Sequence, residues 1–340
     1  MSFYQGLKLI FHTSVSKNSQ LGIEHELALA GKKIPCLVHI PQSAEKGLII
    51  SFTGFSMSGY KDNRIAILNN AFAKLGYRVM TPKIESIDSL EINPEAIVDI
   101  SQVIGKISAD ETLNPNKFRP AVLAPSFTAG MVSLAIAEMP HHSVSSLCLI
   151  GTFCDFESTI EFALTNEENT DDYGMHILMK NFLHHEIGRN ESMEKIIQTA
   201  LEDNGLKRKS PLLPIVLSAT ETDVLDFYHQ LRYNTEFRRK TIMGSWQKIP
   251  NFERWKYSLD LSKHAHKITC PITLIHGKSD VVIPSTESVL LHSLLVHHNP
   301  NIHLELSELL DHGDLKVGFG IFKSVGNLAK AFGNFLKYVK

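Results

Sequence analysis

Residues 121–137 read A-V-L-A-P-S-F-T-A-G-M-V-S-L-A-I-A and carry the clearest structural signal in the chain. A short apolar run predicts a strand, the chain turns at Pro125-Ser126-Phe127, and a helix with small residues on its inner side follows. A strand that stops at a serine and continues as a helix holds the hydroxyl at the tip of a tight turn. That tip faces the crevice at the carboxyl end of the sheet, where a nucleophile can meet a substrate.

The turn departs from the usual nucleophile-elbow pattern G-x-S-x-G, because the five positions are Ala124-Pro125-Ser126-Phe127-Thr128. Taken alone, the stretch also fits an ordinary serine that caps a helix. Threonine at the second glycine position adds a Cβ and a hydroxyl where close packing usually has neither. We expect either a slightly wider elbow or a hydrogen bond from the Thr128 hydroxyl to the preceding turn. Threonine in place of glycine is also compatible with a protein that has lost its activity.

Composition excludes several classes of protein. The 340 residues are 43% hydrophobic and 21% charged, which is typical of a globular chain that folds in water. The formal net charge is −2, with no basic stripe, so a nucleic-acid partner is not expected. No run approaches the ~20 apolar residues of a membrane span. No secretory signal is evident, and we expect a cytoplasmic protein.

The four cysteines also favour a cytoplasmic location, where thiols are kept reduced. They are Cys36, Cys148, Cys154 and Cys270. All lie in or beside apolar runs without the paired spacing of a metal site, so buried, reduced thiols are predicted. Three histidine groups invite a metal interpretation: His184-His185 with Glu186, His264 with His266, and His297-His298. None has a partner at ligand spacing, so we predict polar surface there and neither a metal nor another cofactor.

Strand and helix patterns alternate on both sides of the elbow. Two strands joined near Gly31 predict a hairpin, and the later order of strands and helices implies crossover connections. The predicted fold is α/β, a mostly parallel sheet flanked by helices. Residues 1–20 show no clear period and predict a loosely held arm. The strands are expected near residues 26–30, 34–40, 47–52, 77–81, 121–125, 146–151, 271–276 and 302–306.

The alternation stops between residues 153 and 268, where helical patterns prevail. We predict a helical cap there, inserted between a first core part, 1–152, and a second, 269–340. The apolar content of the cap suggests an acyl pocket. Six cap residues are expected either to line that pocket or to form the core of the cap: Phe182, Leu183, Phe227, Tyr228, Trp246 and Trp255.

Three reactive residues follow the carboxyl ends of separate predicted strands, in the chain order Ser126, Asp280, His312. This is the order of the α/β-hydrolase triad. Individually, Asp280 also fits a turn residue, and His312 also fits a solvated loop. Their joint placement favours a shared site.

On these residues the chain resembles α/β-hydrolases that carry a large helical cap, over residues 26–151 and 270–340. Residues 53–56, T-G-F-S, correspond to the His-Gly-x loop that follows the third strand, with Thr53 in place of the histidine. Residues 271–284, P-I-T-L-I-H-G-K-S-D-V-V-I-P, resemble the segment that carries the acid of the triad. The elbow is similar to that of acyl-transferases of luminous bacteria, members of this superfamily that release fatty acids from acyl carrier protein.

The resemblance implies a serine hydrolase that cleaves acyl esters or thioesters, with a small-molecule acyl substrate. Ser126 would be the nucleophile, His312 the base and Asp280 the residue that orients it. The backbone N–H groups of Phe55 and Phe127 would form the oxyanion hole. Two alternatives remain. One is an acyltransferase or acyl-thioesterase that acts on fatty acyl carriers, with an alcohol or amine as acceptor in the case of transfer. The other is a catalytically inactive protein of the same fold that binds an apolar ligand. The oligomeric state is not predicted.

Overall fold

The computed structural model of the chain describes residues 2–15, 21–166, 172–310 and 321–340. The described strands are β1 Ile23–Leu29, β2 Lys32–His39, β3 Gly47–Ser51, β4 Tyr77–Pro82, β5 Ala121–Pro125, β6 Ser146–Ile150, β7 Ile272–Gly277 and β8 Ile302–Ser307. They form one sheet in the order β1-β2-β4-β3-β5-β6-β7-β8.

Strand directions confirm the predicted sheet. β1 pairs antiparallel with β2, and β2 pairs antiparallel with β4. All other neighbours in the sheet are parallel. The β1–β2 hairpin turns at Ala30 and Gly31, whose φ angles of 48° and 79° are those that a tight hairpin turn requires.

Helices cover both faces of the sheet. Those outside the segment between β6 and β7 are α1 Ser2–Val15, α2 Asn63–Lys74, α3 Glu85–Asp88, α4 Glu95–Ala109, α5 Ser126–Glu138, α15 Thr286–Leu295 and α16 Ile321–Leu336. Successive strand residues point to opposite faces. Leu48 and Ile50 therefore pack in the core that includes α4 and α5, whereas Ile49 packs in the core that includes α1, α2 and α16.

Between β6 and β7 all the described regular structure is helical, as predicted. The α-helices are α6 Phe156–Thr165, α7 Asp172–Phe182, α8 His184–Ile187, α9 Glu191–Gly205, α10 Leu213–Ser218, α11 Thr222–Tyr233, α12 Thr235–Gln247, α13 Phe252–Leu259 and α14 Leu261–His264. We call α6–α14 the inserted helices. All of them except α8 contribute to one hydrophobic core that includes α4 and α5.

The prediction of a loose N-terminal arm is wrong, because residues 2–15 form helix α1, which packs against α16. Two glycines allow the close approach. A Cβ added to Gly6 would lie 1.8 Å from the Ala329 carbonyl oxygen, and one added to Gly333 would lie 2.4 Å from the Ser2 carbonyl oxygen. The helix backbones therefore touch where side chains would keep them apart.

All four cysteines are buried and unpaired, as predicted. Burial raises the pKa of the Cys36 thiol to about 12, although a backbone hydrogen bond lowers it, and burial likewise raises the pKa of Cys270 to about 12. These thiols therefore stay protonated at neutral pH. Within the described residues, every helix is too short or too polar to span a bilayer.

Candidate functional site

Ser126 occupies the predicted tight turn between β5 and α5. Its φ of 57° lies in the left-handed region, which residues with a Cβ seldom adopt, whereas Pro125 is extended at φ −102° and ψ 158°. Such a conformation costs about 1–3 kcal/mol and persists only where the surroundings impose it. Ser126 is partly exposed, while the following residues of α5 up to Ala137 are buried. The turn thus presents the serine at the open end of a buried strand and helix.

The loop after β3 lies directly against this turn. A Cβ added to Gly54 would lie 3.5 Å from the Ser126 Cβ and 3.7 Å from the Pro125 Cγ. The N–H of Phe52, at the start of the loop, donates to the Leu123 carbonyl at 2.8 Å. This bond continues the parallel pairing of β3 with β5, and it therefore brings the loop after β3 next to the turn at Ser126.

Aromatic rings hold the two loops to each other and to the inserted helices. The rings of Phe55 and Phe127 stack with centroids 5.8 Å apart. Phe127 also packs against Phe153 at 5.5 Å and against Phe156 at 5.7 Å. Phe156 contacts Trp255 in turn, at 5.6 Å. The residue after the serine is therefore the hub of an aromatic cluster that reaches into α13.

Of the two arrangements predicted for Thr128, a slightly wider elbow or a hydroxyl bonded to the preceding turn, the second is not found among the described residues. Thr128 is fully buried, and its Oγ1 has no hydrogen-bond partner among the described residues. The expected bond to the preceding turn is therefore absent there. By contrast, the Ser133 hydroxyl, one and a half turns further along α5, donates to the Ala129 carbonyl at 2.8 Å. A buried hydroxyl without a partner is destabilising, so Thr128 imposes a local cost on the elbow.

Asp280 follows β7 and is nearly buried, with 8% of its surface exposed. Its Oδ1 accepts the N–H groups of Val282 at 2.9 Å and Ile283 at 3.0 Å, which fixes the plane of the carboxylate. Its Oδ2 faces the end of β6, where a Cβ added to Gly151 would lie 3.6 Å away. Gly151 has a φ of 66°, a left-handed conformation that favours glycine.

The strand order places Ser126 and Asp280 at one edge of the sheet. Pro125 pairs with Ile150, and Ile150 pairs with Ile275, so the ends of β5, β6 and β7 are level. Because neighbouring strands are ~4.8 Å apart, the ends of β5 and β7 are separated by about 10 Å. A single side chain reaching in from a third loop can bridge such a gap.

His312 lies outside the described residues, as do Asp311 and Gly313. The chain is described up to Leu310, which lies against the end of β7. A Cβ added to Gly277 would be only 2.4 Å from the Leu310 carbonyl oxygen. The last described residue before His312 is therefore at the edge of the sheet that holds Asp280.

The buried His276 is a polar residue that sequence reasoning missed. Its Nε2 lies 2.9 Å from the Ile283 carbonyl, and its Nδ1 lies 2.6 Å from the Ser288 hydroxyl. A carbonyl oxygen can only accept a hydrogen bond, so Nε2 carries the proton and donates to Ile283. Nδ1 of the neutral ring can then accept a hydrogen bond from the Ser288 hydroxyl. Nε2 is also 3.7 Å from Asp280 Oδ2. His276 therefore braces the loop that carries Asp280.

A second missed residue, Glu287 on α15, binds the start of the inserted helices. Its side chain is buried, with 4% of the residue exposed. Oε2 accepts the N–H groups of Cys154 at 2.9 Å and Asp155 at 2.7 Å, and Oε1 accepts the Ser158 hydroxyl at 2.5 Å. The Cys154 carbonyl in turn accepts the N–H of Ser262, so both ends of the inserted helices meet here. Glu287 lies about 130 residues away in sequence, so no local pattern could reveal this contact.

Four of the six residues predicted to line a pocket or fill the core are fully packed: Phe182, Leu183, Tyr228 and Trp246. Trp255 and Phe227 are partly buried against the same core. Phe227 also lines a cavity of about 1130 Å³ between α6, α8 and α12, and the lining does not include Ser126. This cavity is therefore separate from the strained turn, and the packed residues form the interior of the inserted helices.

The histidine groups considered for metal binding have other contacts where the structure records them. The prediction of polar surface is wrong for His264, which is buried. Its Nδ1 lies 3.3 Å from Glu138 Oε1, and its Nε2 lies 3.2 Å from the Tyr257 carbonyl. The rings of His184 and His185 lie against each other, with centroids 4.0 Å apart. In the part of the chain that the structure describes, no three His, Cys, Asp or Glu side chains are grouped as metal ligands.

No protein-family model matches the sequence, and no curated protein matches it significantly. Solved structures do match. An esterase from Pyrococcus furiosus superposes with a TM-score of 0.53 at 12% identity, over 95% of this chain and 94% of the esterase. The 2,6-dihydroxy-pseudo-oxynicotine hydrolase gives 0.52 at 14% identity, over 93% of this chain and 68% of that one.

The acylaminoacyl peptidase of Pyrococcus horikoshii is a larger protein. It superposes with a TM-score of 0.50 at 14% identity, over 97% of this chain but only 42% of the peptidase. At such identities the likeness concerns the path of the backbone. The three structures are α/β-hydrolase superfamily members, and their likeness agrees with the strand order and the strained serine turn described above. The chain has the α/β-hydrolase fold.

Proposed function

We propose that the protein is a serine hydrolase that cleaves acyl esters or thioesters, with Ser126 as its nucleophile. The observation that carries the proposal is the left-handed φ of 57° at Ser126, at a strand-to-helix turn against the Gly54 loop. A strained, partly exposed serine in this place has little structural purpose, because a helix-capping serine needs no such backbone. The strain is accounted for if the hydroxyl must attack a substrate.

A serine hydroxyl is a poor nucleophile until a base takes its proton, and we assign that role to His312. Leu310 lies at the end of β7, and two residues of chain reach at most about 7 Å. This supports a position for His312 near the gap between the ends of β5 and β7. The imidazole would accept the serine proton during attack and return it to the leaving alcohol or thiol.

Asp280 would hold the imidazole in the required tautomer and stabilise the imidazolium. Its Oδ1 is committed to two backbone N–H groups, so the carboxylate cannot rotate freely. Oδ2 faces Gly151 at the end of β6, the strand between β5 and β7. His276 keeps the Asp280 loop closed through its bond to Ile283, and we assign it a positioning role only.

The tetrahedral oxyanion needs donors that are fixed in advance, and we assign them to the N–H groups of Phe127 and Phe55. Phe127 belongs to the first turn of α5, where backbone N–H groups have no partner within the helix. Phe55 follows Gly54, whose closeness to Ser126 brings its loop to the reacting atoms. Loss of one such donor typically slows turnover about 10²–10³-fold.

We further propose that residues 153–268 act as a cap over this site, between core parts 1–152 and 269–340. The contacts of Phe127 with Phe153 and Phe156 support this role, since they join the elbow to the start of the inserted helices. The similar structures include an esterase, a hydrolase and a peptidase. An acyl amide is therefore the second substrate class that we consider.

The test is hydrolysis of p-nitrophenyl esters of increasing acyl length, with acyl-amino p-nitroanilides beside them. Ser126→Ala should lower kcat/KM at least about 10³-fold. Ser133→Ala, which changes a buried serine further along the same helix, should keep the activity and serves as the matched control. Equal activity of Ser126→Ala and the parent protein would contradict the proposal. Added alcohol acceptors distinguish transfer from hydrolysis, because only transfer yields a new ester.

A further inference from the structure

The outward side of α1 is apolar. Seven of its residues are exposed, and five of these are hydrophobic or aromatic: Phe3, Tyr4, Leu7, Phe11 and Val15. Phe11 is 63% exposed, Tyr4 60% and Phe3 50%. Phe3, Leu7 and Phe11 follow each other at spacings of four, so they form one stripe along the helix. We call these five residues the α1 face.

The inward side of α1 is apolar as well. Leu9 is fully buried in the core that α1 shares with α2 and α16, and Gly6 lies against the backbone of α16. A helix that is apolar on both sides is normally buried on both sides. The inner contacts already hold α1 in place, so the fold does not need the apolar outer residues. A contiguous exposed apolar patch of this kind marks an interaction site.

The helices that form and flank the α1 face carry basic side chains and no acidic ones. Helices α1, α2 and α16 contain no aspartate or glutamate, and all 36 acidic residues lie elsewhere in the chain. Lys8 is exposed on α1 itself, beside the Tyr4 ring. Lys74, the last residue of α2, is exposed as well, and burial together with the positive charges of Lys74 and Lys8 lowers the pKa of His12. The partner of this face must therefore accept apolar side chains and carry negative charge.

We propose that the α1 face binds the surface of an anionic phospholipid bilayer. Phe3, Leu7 and Phe11 would enter the boundary between headgroups and acyl chains, while Lys8 and Lys74 would contact lipid phosphates. A second copy of the chain fits less well, because a symmetric contact would bring the two Lys8 side chains together. The helix would lie in the interface and would not cross the bilayer. This inference does not depend on the proposed hydrolase activity.

The test is flotation of the full chain with vesicles of phosphatidylcholine containing about 30% phosphatidylserine, compared with pure phosphatidylcholine. We expect binding to the anionic vesicles that weakens as salt is raised. Phe3→Ser combined with Phe11→Ser should reduce binding at least about tenfold, and Lys8→Glu at least about fivefold. Ile215→Ser with Tyr233→Ser is the matched control, since these residues of the inserted helices are 65% and 70% exposed.

Every outcome of these experiments either supports or overturns membrane binding by the α1 face. Binding that the α1 variants lose and the control pair keeps supports the proposal, provided that thermal unfolding shows the variants to be folded. If the double variant fails to fold, Lys8→Glu alone applies the same test. No binding at low salt, or binding that all variants share, overturns it. A dimer in light scattering that Phe3→Ser and Phe11→Ser dissociate would assign the face to a second copy and would also overturn it.

Discussion

Phe127 stacks on Phe55, with ring centroids 5.8 Å apart and ring planes 19° apart. One ring belongs to the helix that follows the serine and the other to the loop after β3. The two residues whose N–H groups we assign to the oxyanion hole are therefore coupled through their side chains. The distance between the two donors depends on ring packing as well as on the backbone.

We predict that Phe55→Leu lowers kcat about 10- to 100-fold with a smaller effect on KM, because the loop keeps its place but loses its ring contact. Steady-state kinetics on the best p-nitrophenyl ester measures this. Phe72→Leu is the matched control. Phe72 is fully buried on the other face of the sheet against Phe335, so its loss should lower stability without lowering kcat. An unchanged kcat in Phe55→Leu would show that the contact between the two rings does not contribute to catalysis.

Removal of the Thr128 hydroxyl should make the protein more stable, which is unusual for a substitution. Thr128→Val keeps the shape of the side chain and removes a buried hydroxyl that has no partner among the described residues. We expect the free energy of unfolding to rise by about 1 kcal/mol. Urea unfolding measures this, with Ser133→Ala as the opposite case, because its hydroxyl is bonded. A loss of stability in Thr128→Val would mean that the hydroxyl has a partner in the folded protein.

Glu287 should be important for attachment of the inserted helices. Glu287→Ala leaves the buried N–H groups of Cys154 and Asp155 without their acceptor, so we expect a loss of about 2–4 kcal/mol in unfolding free energy. Glu287→Gln keeps one accepting oxygen and should lose about 1 kcal/mol. Glu161→Ala, which breaks the surface ion pair with Arg239, should cost less than about 1 kcal/mol. Equal effects of the three substitutions in urea unfolding would argue against the role of Glu287.

Asp88 should make stability depend on pH. Burial raises the pKa of its carboxyl to about 6, although the Tyr60 N–H lowers it. Between about pH 4, the unfolded value, and pH 6, the folded chain binds more protons than the unfolded chain, so stability falls as pH rises. Asp88→Asn should remove this slope and be more stable by about 1–2 kcal/mol at pH 7. Parallel unfolding curves of both proteins from pH 4 to pH 7 would contradict this.

The sequence predicts the sheet because its strands are short apolar runs bounded by turn residues, as β5 and β7 illustrate. It also predicts the tight turn at Ser126, because the apolar run of a strand changes there to the pattern of a helix. Helix α1 is missed for a physical reason. Leu9 faces the core while Phe3 and Phe11 face outwards, so apolar residues surround the helix and its period is hidden.

Long-range polar contacts could not be predicted. The bonds of Glu287 to Cys154 and the bracing of Asp280 by His276 depend on how distant segments meet, and residue types alone do not specify that. The orphaned Thr128 hydroxyl has a similar origin. The preceding turn of α5 is the end of a strand, so the carbonyl that a threonine in a helix would normally use is not presented to it.

The role of Ser126 can be tested by intact-mass analysis after reaction with a fluorophosphonate probe, followed by peptide mapping. We predict one adduct per chain, located on Ser126, which is absent from Ser126→Ala, retained in Ser133→Ala and strongly slowed in His312→Ala. A folded parent protein that takes up no probe, or an adduct that persists in Ser126→Ala, would contradict the assignment.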